Sequence, residues 1–362
     1  MTLEDSEAQA PCARCIYFSR ENGEAMTTHQ RWTLARRPQG LPQADDFKLE
    51  RTALPEIKDG QALVRIDHIS VDPGMRSRLS GDSYAPAMAI GATVESAGIG
   101  TVVASRNAKF EEGATVWGGF GWQSHFLCEG RGMQVLDPAI YVGPVHATAA
   151  IGVLGIPGLT AFFGLGDIGK PKEGETVLVS SAAGTVGATA GQMAKIEHCT
   201  AIGLAGSDAK CAYLRDIGFD RAVNYKTAGD LAGALKQAAP KGIDVYFDNV
   251  GGETLDAAIL NMRKGGRIVV SGQIAEYNTA SPRGIRHTLP FITQRLRMEG
   301  LVVYDYAQKF NETRAQLAHW IRHGKLSYRE EIVDGLESAP AAFRGLFTGE
   351  SFGRRLVRVA QS

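Results

Sequence analysis

The sequence has no surplus of charge: 39 lysines and arginines meet 39 aspartates and glutamates over 362 residues, so the formal net charge is zero. Without a basic face or a polybasic run, composition supplies nothing that would draw nucleic acid or an anionic membrane surface. No apolar run reaches the roughly 18 residues that a transmembrane helix needs, and the N-terminus lacks the charged-then-apolar order of a secretory signal. A soluble cytoplasmic protein is therefore expected. Cysteine is scarce as well. Cys12, Cys15, Cys128, Cys199 and Cys211 are an odd number spread over a long chain, which argues against a disulfide framework. Cys12 and Cys15 form a CxxC pair, but a structural zinc site needs two more ligands and only His29 is nearby. Residues 1–25 read as an extension expected to be disordered, with Met26 a candidate natural start.

What the chain does contain is enough apolar material, 44% of its residues, for two sizeable cores. From about Arg31 to Pro138, short apolar runs such as ALVRIDHISV, GTVVAS and ATVWGGFGWQSHFLC are punctuated by Pro and Gly. That spacing predicts an irregular, partly barrel-like β domain. After Gly158 the character changes. LTAFFGLGDIG reads as helical, and strands are expected at 176–180, 200–205, 222–224, 244–248, 266–271 and 300–303, with helices at 186–196, 208–217, 231–238 and 254–262 between the first five. Such alternation implies parallel strands with crossover helices, an α/β doubly wound sheet. The division expected is a β-rich domain of residues 26–152 and 326–362 around a nucleotide domain of residues 153–325.

The turn Ala182-Ala183-Gly184-Thr185-Val186-Gly187 fits the dinucleotide fingerprint G-x-G-x-x-G with Ala at its first place. The middle Gly lets backbone approach a pyrophosphate, the last permits tight helix–strand packing, and the helix N-terminus offers free N–H groups to the anion. A strand directly before and a helix directly after supply the context the fingerprint requires. Past the second strand, Asp208 reads as a helix N-cap rather than a ribose ligand. Lys210 lies in the first helical turn, where its charge opposes the helix dipole unless it meets an anion. A 2′-phosphate would be that anion, with Ser207 adding a hydroxyl, so NADPH is preferred over NADH. For a catalytic zinc, three protein ligands are needed, yet HISVDPGMRSRL and AIGATVESAGIG hold no Cys and no His-Glu pair. His68 reads as a strand histidine, and no metal is expected. Hydride addition to an activated C=C then suits the site better than alcohol oxidation, because an enolate needs only hydrogen-bond donors and a proton source.

Several stretches together resemble one family. DPGMRSRL, SSAAGTVG, GSDAKCAYLRDIGFDRAVNYK, DVYFDNVGGETLD, GRIVVSGQIAEYN, LRMEGLVVYDY and GKLSY…AAFRGLF are similar to the zinc-independent medium-chain dehydrogenases/reductases, in the group of leukotriene/prostaglandin reductases, 2-alkenal double-bond reductases and curcumin reductase. The resemblance implies a GroES-like β-rich catalytic domain plus a Rossmann cofactor domain, and NADPH as cofactor. It assigns Gly184, Thr185, Val186 and Gly187 to the pyrophosphate, and Lys210 and Tyr225 to the 2′-phosphate. Asn249 would lie at the cofactor beyond the third parallel strand. Ser271, Gly272, Ile274 and Tyr277 belong to the loop flanking the nicotinamide, and Leu301, Val302 and Val303 to a strand whose backbone meets the carboxamide. Tyr277 is the preferred proton donor, against a reading in which it only lines the pocket while ribose hydroxyl or water supplies the proton. Tyr84 is a second candidate at the enone.

Two departures bear on specificity: Gly74 stands where the family commonly has Tyr, and Ser351 where it often has Asn near the cofactor. Arg76 is expected to anchor its loop through a carboxylate or to face the cofactor, while Trp117, Trp122 and Cys128 are expected in the β-rich core. The activity implied is reduction of α,β-unsaturated ketones or aldehydes, with quinone reduction, allylic alcohol oxidation and a non-catalytic NADPH-binding role as rivals. A homodimer pairing edge strands near Gly300 to Val303 is also implied.

Overall fold

The computed structural model describes residues 28–81, 83 and 85–359. The CxxC pair and Tyr84 lie outside the described residues.

Six parallel strands form one sheet in the order Arg221–Asn224, Thr200–Ala205, Thr176–Val179, Ile243–Asp248, Met262–Val270, Arg297–Gly300. Chain order reverses between Thr176–Val179 and Ile243–Asp248, and the crevice above such a reversal is where open α/β sheets bind ligands. Every residue of Ile243–Asp248 is buried, as expected of a strand covered by helices on both faces. The helix Thr185–Ile196 returns the chain from the first strand to the second.

The second sheet is antiparallel apart from one pair. It runs Glu330–Asp334, Arg354–Arg358, Ala62–Ser70, Gly98–Ser105, Thr115–Gly118, Met133–Val135, with His125–Cys128 also pairing Ala62–Ser70. A separate ribbon pairs Thr28–Leu34 with Phe47–Ala53. Its core is aromatic: Trp122 packs 5.3 Å from Phe47 and 5.8 Å from Phe343 between ring centroids. Cys128 is fully buried there. The tail, through Arg354–Arg358, sits inside this sheet beside Ala62–Ser70.

Several boundaries differ from the sequence reading, among them the strand expected at 266–271, which spans Met262–Val270. The N-cap of the helix Asp208–Asp216 is Ser207, whose side chain accepts from the Lys210 N–H at 3.3 Å, while Asp208 accepts from the Asn224 amide instead. The helix after Ile243–Asp248 spans Gly252–Ile259, and Met262 already belongs to the next strand. The last parallel strand is Arg297–Gly300, three residues earlier than the apolar LVV suggests. Leu301 and Val303 are apolar because they pack against Leu159 and Phe163 of the helix Ile156–Phe163, and a 3-10 helix, Val303–Lys309, starts at once.

A buried histidine gives the β-rich part a pH-dependent stability. His125 is 4% exposed, and burial, followed by the neighbouring His29 and Arg65, lowers its pKa to about 4. A depressed imidazole contributes stability in full above its unfolded value near 6.5 and loses it as pH falls through 4. Unfolding in urea is expected to show a loss approaching about 3 kcal/mol between pH 6.5 and 4, flattened in His125→Leu.

Candidate active site

A cavity of about 1000 Å³ lies between the two sheets, above the reversal in strand order. Its nucleotide side begins at the turn after Thr176–Val179. Ser181 takes the left-handed region there, with φ of 48°, and the Gly184 N–H closes the turn onto the Ser181 carbonyl at 3.0 Å. The helix Thr185–Ile196 starts at Gly184 with no side-chain cap, so its first N–H groups have no intrahelical partner. Gly184, Thr185, Val186 and Gly187 all line the cavity. From the tail, the Gly353 N–H donates to the Ala183 carbonyl at 3.0 Å. That contact brings Ser351 to the cavity wall.

Asn249 is positioned from below. Its backbone N–H donates to Ser180 Oγ at 2.9 Å and its side-chain amide to the Ser180 carbonyl at 2.8 Å. Under both lies Asp248, fully buried. Asp248 Oδ1 accepts from Ser180 Oγ at 3.2 Å, the Tyr246 hydroxyl at 2.7 Å, and the N–H groups of Val250 and Gly251 at 2.9 Å each. Its Oδ2 is buried and has no partner among the described residues. Burial holds this carboxyl above the usual carboxylate range, against the lowering effect of those hydrogen bonds.

The loop that carries Ser271, Gly272, Ile274 and Tyr277 is tied to the same strand end. Ser271 N–H donates to the Asp248 carbonyl at 2.8 Å, Gly272 N–H to the same carbonyl at 3.1 Å, and Ile274 N–H to the Asn249 carbonyl at 3.3 Å. The Tyr277 hydroxyl accepts from the Gln273 N–H at 3.2 Å, and a β-carbon on Gly272 would come within 3.2 Å of it. All four residues line the cavity, as do Leu301, Val302 and Val303 opposite. These last three are not a strand; only the Leu301 N–H still pairs with the sheet, at 3.1 Å from the Val270 carbonyl.

Arg76 pins the Tyr277 loop from the other sheet's side. It is 4% exposed, its Nε donates to Asn278 Oδ1 at 2.9 Å and its Nη2 to the Gly40 carbonyl at 2.8 Å. Its anchors are therefore an amide, carbonyls and the Ser80 hydroxyl, where the sequence reading expected a carboxylate or the cofactor. Gly74, two residues before it, lines the cavity.

Lys210, Ser207 and Tyr225 form a separate group beyond the end of Thr200–Ala205. Lys210 Nζ donates to the Gly349 carbonyl at 2.7 Å. A β-carbon on Gly206 would lie 3.0 Å from the Tyr225 hydroxyl and 3.3 Å from Lys226 Cε. Burial pulls the Lys210 pKa down and the adjacent Lys226 charge adds to that, with Glu331 opposing. Lys226 was passed over although its signal stood in the same Asn224-Tyr225-Lys226 run. Trp117 packs against Ile99, Leu136 and Leu356 of the β-rich core, as expected, and lines the cavity as well; the residue the sequence reading missed is Arg314 on the helix Phe310–Arg322, whose guanidinium lies 4.6 Å from the Trp117 ring. Among the described residues, no three His, Cys, Asp or Glu side chains are grouped to hold a metal ion.

Fold and site together define a two-domain oxidoreductase architecture of the dinucleotide-binding kind. Sequence models of two families, described as the N-terminal domain of oxidoreductase and as zinc-binding dehydrogenase, match residues 30–136 and 185–321. The NADPH-dependent curcumin reductase of Escherichia coli is 39% identical over 93% of this chain and 99% of its own length. Prostaglandin reductase 1 of Rattus norvegicus is 40% identical over 92% of this chain and 100% of its own. The crystal structure of CurA in complex with NADPH from Vibrio vulnificus superimposes with a TM-score of 0.85 at 38% identity, covering 92% and 100% of the two chains. The chain belongs to the zinc-independent medium-chain dehydrogenase/reductase family, in its NADP-dependent group of curcumin, prostaglandin and alkenal reductases.

Proposed function

We propose that the protein reduces the C=C bond of α,β-unsaturated ketones and aldehydes with NADPH. The observation that carries this reading is a single cavity that joins the uncapped helix start at Gly184 to the Tyr277 hydroxyl. The tight Gly184–Gly187 turn and the Lys210, Tyr225 and Lys226 group fit the pyrophosphate and the 2′-phosphate respectively. When bound, NADPH would supply hydride to the β-carbon of the substrate, and a proton delivered to the α-carbon, from Tyr277 or from water, would complete the saturated product. Asn249, the Ser271–Ile274 loop and Leu301–Val303 would hold the nicotinamide end, since all of them line the cavity. Tyr277 donates a hydrogen bond to the enolate oxygen as charge develops there, and the walls contributed by both sheets exclude water from the reacting carbons. In this reading residues 153–325 form the cofactor domain and the protein works in the cytoplasm.

Steady-state NADPH oxidation with an enone, an enal and a simple quinone tests the proposal. Enone turnover is expected to exceed quinone turnover by at least about tenfold, and Tyr277→Phe is expected to lower kcat on the enone about 10- to 100-fold. A preference for quinone would make the protein a quinone reductase, and NADPH binding without turnover of any of them would leave a binding protein. Lys210→Ala is expected to raise the KM for NADPH about 10- to 100-fold while the KM for NADH stays within about twofold. Equal effects on both nucleotides would remove Lys210 from the 2′-phosphate. We also propose a homodimer, since Arg297–Gly300 is an edge strand and Leu289 and Ile292 nearby are 66% and 75% exposed. Light scattering at micromolar concentration would give twice the chain mass.

A further inference from the structure

Arg314 is a charged residue in the cavity wall that the proposed reaction does not use. It is 7% exposed, and its guanidinium lies 4.6 Å from the centroid of Trp117 and 5.5 Å from that of Phe310. Nε donates to the Leu154 carbonyl at 3.2 Å and Nη1 to Asn311 Oδ1 at 3.1 Å. Its Nη2 donates to no described residue. The other buried arginines of this chain are satisfied within it: Arg354 pairs with Asp72 and Arg355 with Glu331, and Arg76 is bonded to carbonyls, Ser80 and Asn278. Arg314 has no carboxylate partner among the described residues. Burial accordingly pulls its pKa below the ordinary arginine value, opposed only by the nearby Tyr141.

A buried guanidinium without a counter-ion is costly to keep, and one that borders a cavity can be completed by an anionic ligand. We propose that Arg314 is a specificity-determining residue that binds a carboxylate carried by the substrate, so that the preferred substrates are unsaturated ketones with an acid group. This rests on the reading of the site given above. The planar fork of an arginine matches a carboxylate in a way a lysine does not. Stacking on Trp117 and the hydrogen bonds to Leu154 and Asn311 hold the fork with its Nη2 edge free. The cofactor phosphates are a less suitable partner, because their donors are the Gly184–Gly187 turn and Lys210. Arg314 stands instead beside Phe310 and Asn311, past the nicotinamide end at Leu301–Val303.

The test uses NADPH-saturated enzyme and matched pairs of aliphatic enones, each bearing a terminal carboxylate or its methyl ester, over a short series of chain lengths. The wild type is expected to favour the best acid over its ester about 10- to 100-fold in kcat/KM, expressed mainly in KM. Arg314→Met should erase that preference by acting on the acid alone, and Arg314→Lys should restore part of it, with the KM for NADPH unchanged in both. Absence of any acid preference in the wild type would overturn the proposal, as would parallel losses on acid and ester. A rise in the KM for NADPH with the acid-to-ester ratio intact would overturn it too, in favour of a cofactor contact. If neither compound is reduced, enone reduction itself fails. Calorimetric binding of a saturated keto acid and its methyl ester to the NADP⁺ complex then decides the role of Arg314 separately: a preference for the acid that Arg314→Met abolishes sustains it, and equal binding ends it.

Discussion

Gly184→Ala is expected to fold as the parent does and to lose NADPH, whereas Gly187→Ala is expected to lose the turn itself. The two glycines are three residues apart and fail for different reasons. At Gly184 the backbone has φ of −83°, open to any L-residue, and a new β-carbon would meet only the Ser181 carbonyl at 3.4 Å and its hydroxyl at 3.6 Å. The protein tolerates that methyl; a pyrophosphate seated on the bare N–H groups of the helix start does not. Losing close approach at one or two charge-assisted hydrogen bonds raises the Kd for NADPH by about 100-fold or more, at about 1.4 kcal/mol per decade. At Gly187 the β-carbon would fall 2.5 Å from the Ser181 carbonyl and 2.7 Å from Ala182 Cα. Those are backbone atoms of the turn that joins strand to helix, and they cannot move aside without separating helix from sheet. A cost of about 2–3 kcal/mol is expected from such overpacking. Thermal melting of the apoproteins separates the cases: Gly184→Ala should melt with the wild type and Gly187→Ala well below it. A Gly184→Ala protein that binds NADPH normally would remove the turn from the site.

The second large effect is expected at Asp248, which touches no cavity. Asp248→Ala strands the Tyr246 hydroxyl and the N–H groups of Val250 and Gly251, and leaves the Ser180 hydroxyl only its longer bond to the Phe247 carbonyl at 3.4 Å. Unsatisfied buried donors cost about 1–3 kcal/mol each, with partial relaxation, so a total near 3–5 kcal/mol is expected, among the largest single-site losses. Asp248→Asn keeps an acceptor where Oδ1 stands and should cost less. Its amide nitrogen would replace the already unpartnered Oδ2, which holds the loss to about 1–2 kcal/mol. Because Ser180 links Asp248 to Asn249, the alanine variant should also weaken NADPH binding. Urea unfolding of the three proteins, with NADPH titrated into each, measures both. Equal midpoints for Asp248→Ala and wild type would mean that the network carries no stability.

The parallel strands were legible because each is a short, continuous apolar run bounded by small residues. Thr200–Ala205 was read to the residue and Ile243–Asp248 to within one. The last strand was not, because Arg297-Met298-Glu299-Gly300 carries its pairing in backbone hydrogen bonds while the apolar residues just after it face a helix. Apolarity reports burial and says nothing of which neighbour does the burying. Trp117 and Arg314 show the same limit at the site. Each is unremarkable in its own segment, one in a strand and one in an amphipathic helix, and their stacking depends on how two domains close on a shared cavity.

Local order decided what is local in this protein: the strand–turn–helix at Thr176–Ile196, whose small residues admit close approach of backbone, and the Tyr225-Lys226 pair directly after the strand Arg221–Asn224. Those features depend on neighbours a few residues apart, so the chain alone expresses them. The placement of Asp248 beneath Asn249, of Arg76 against Asn278 and of Arg314 over Trp117 arose only on folding. Each joins residues from separate elements, and their free energies come from desolvation and pairing that no single stretch of the chain experiences.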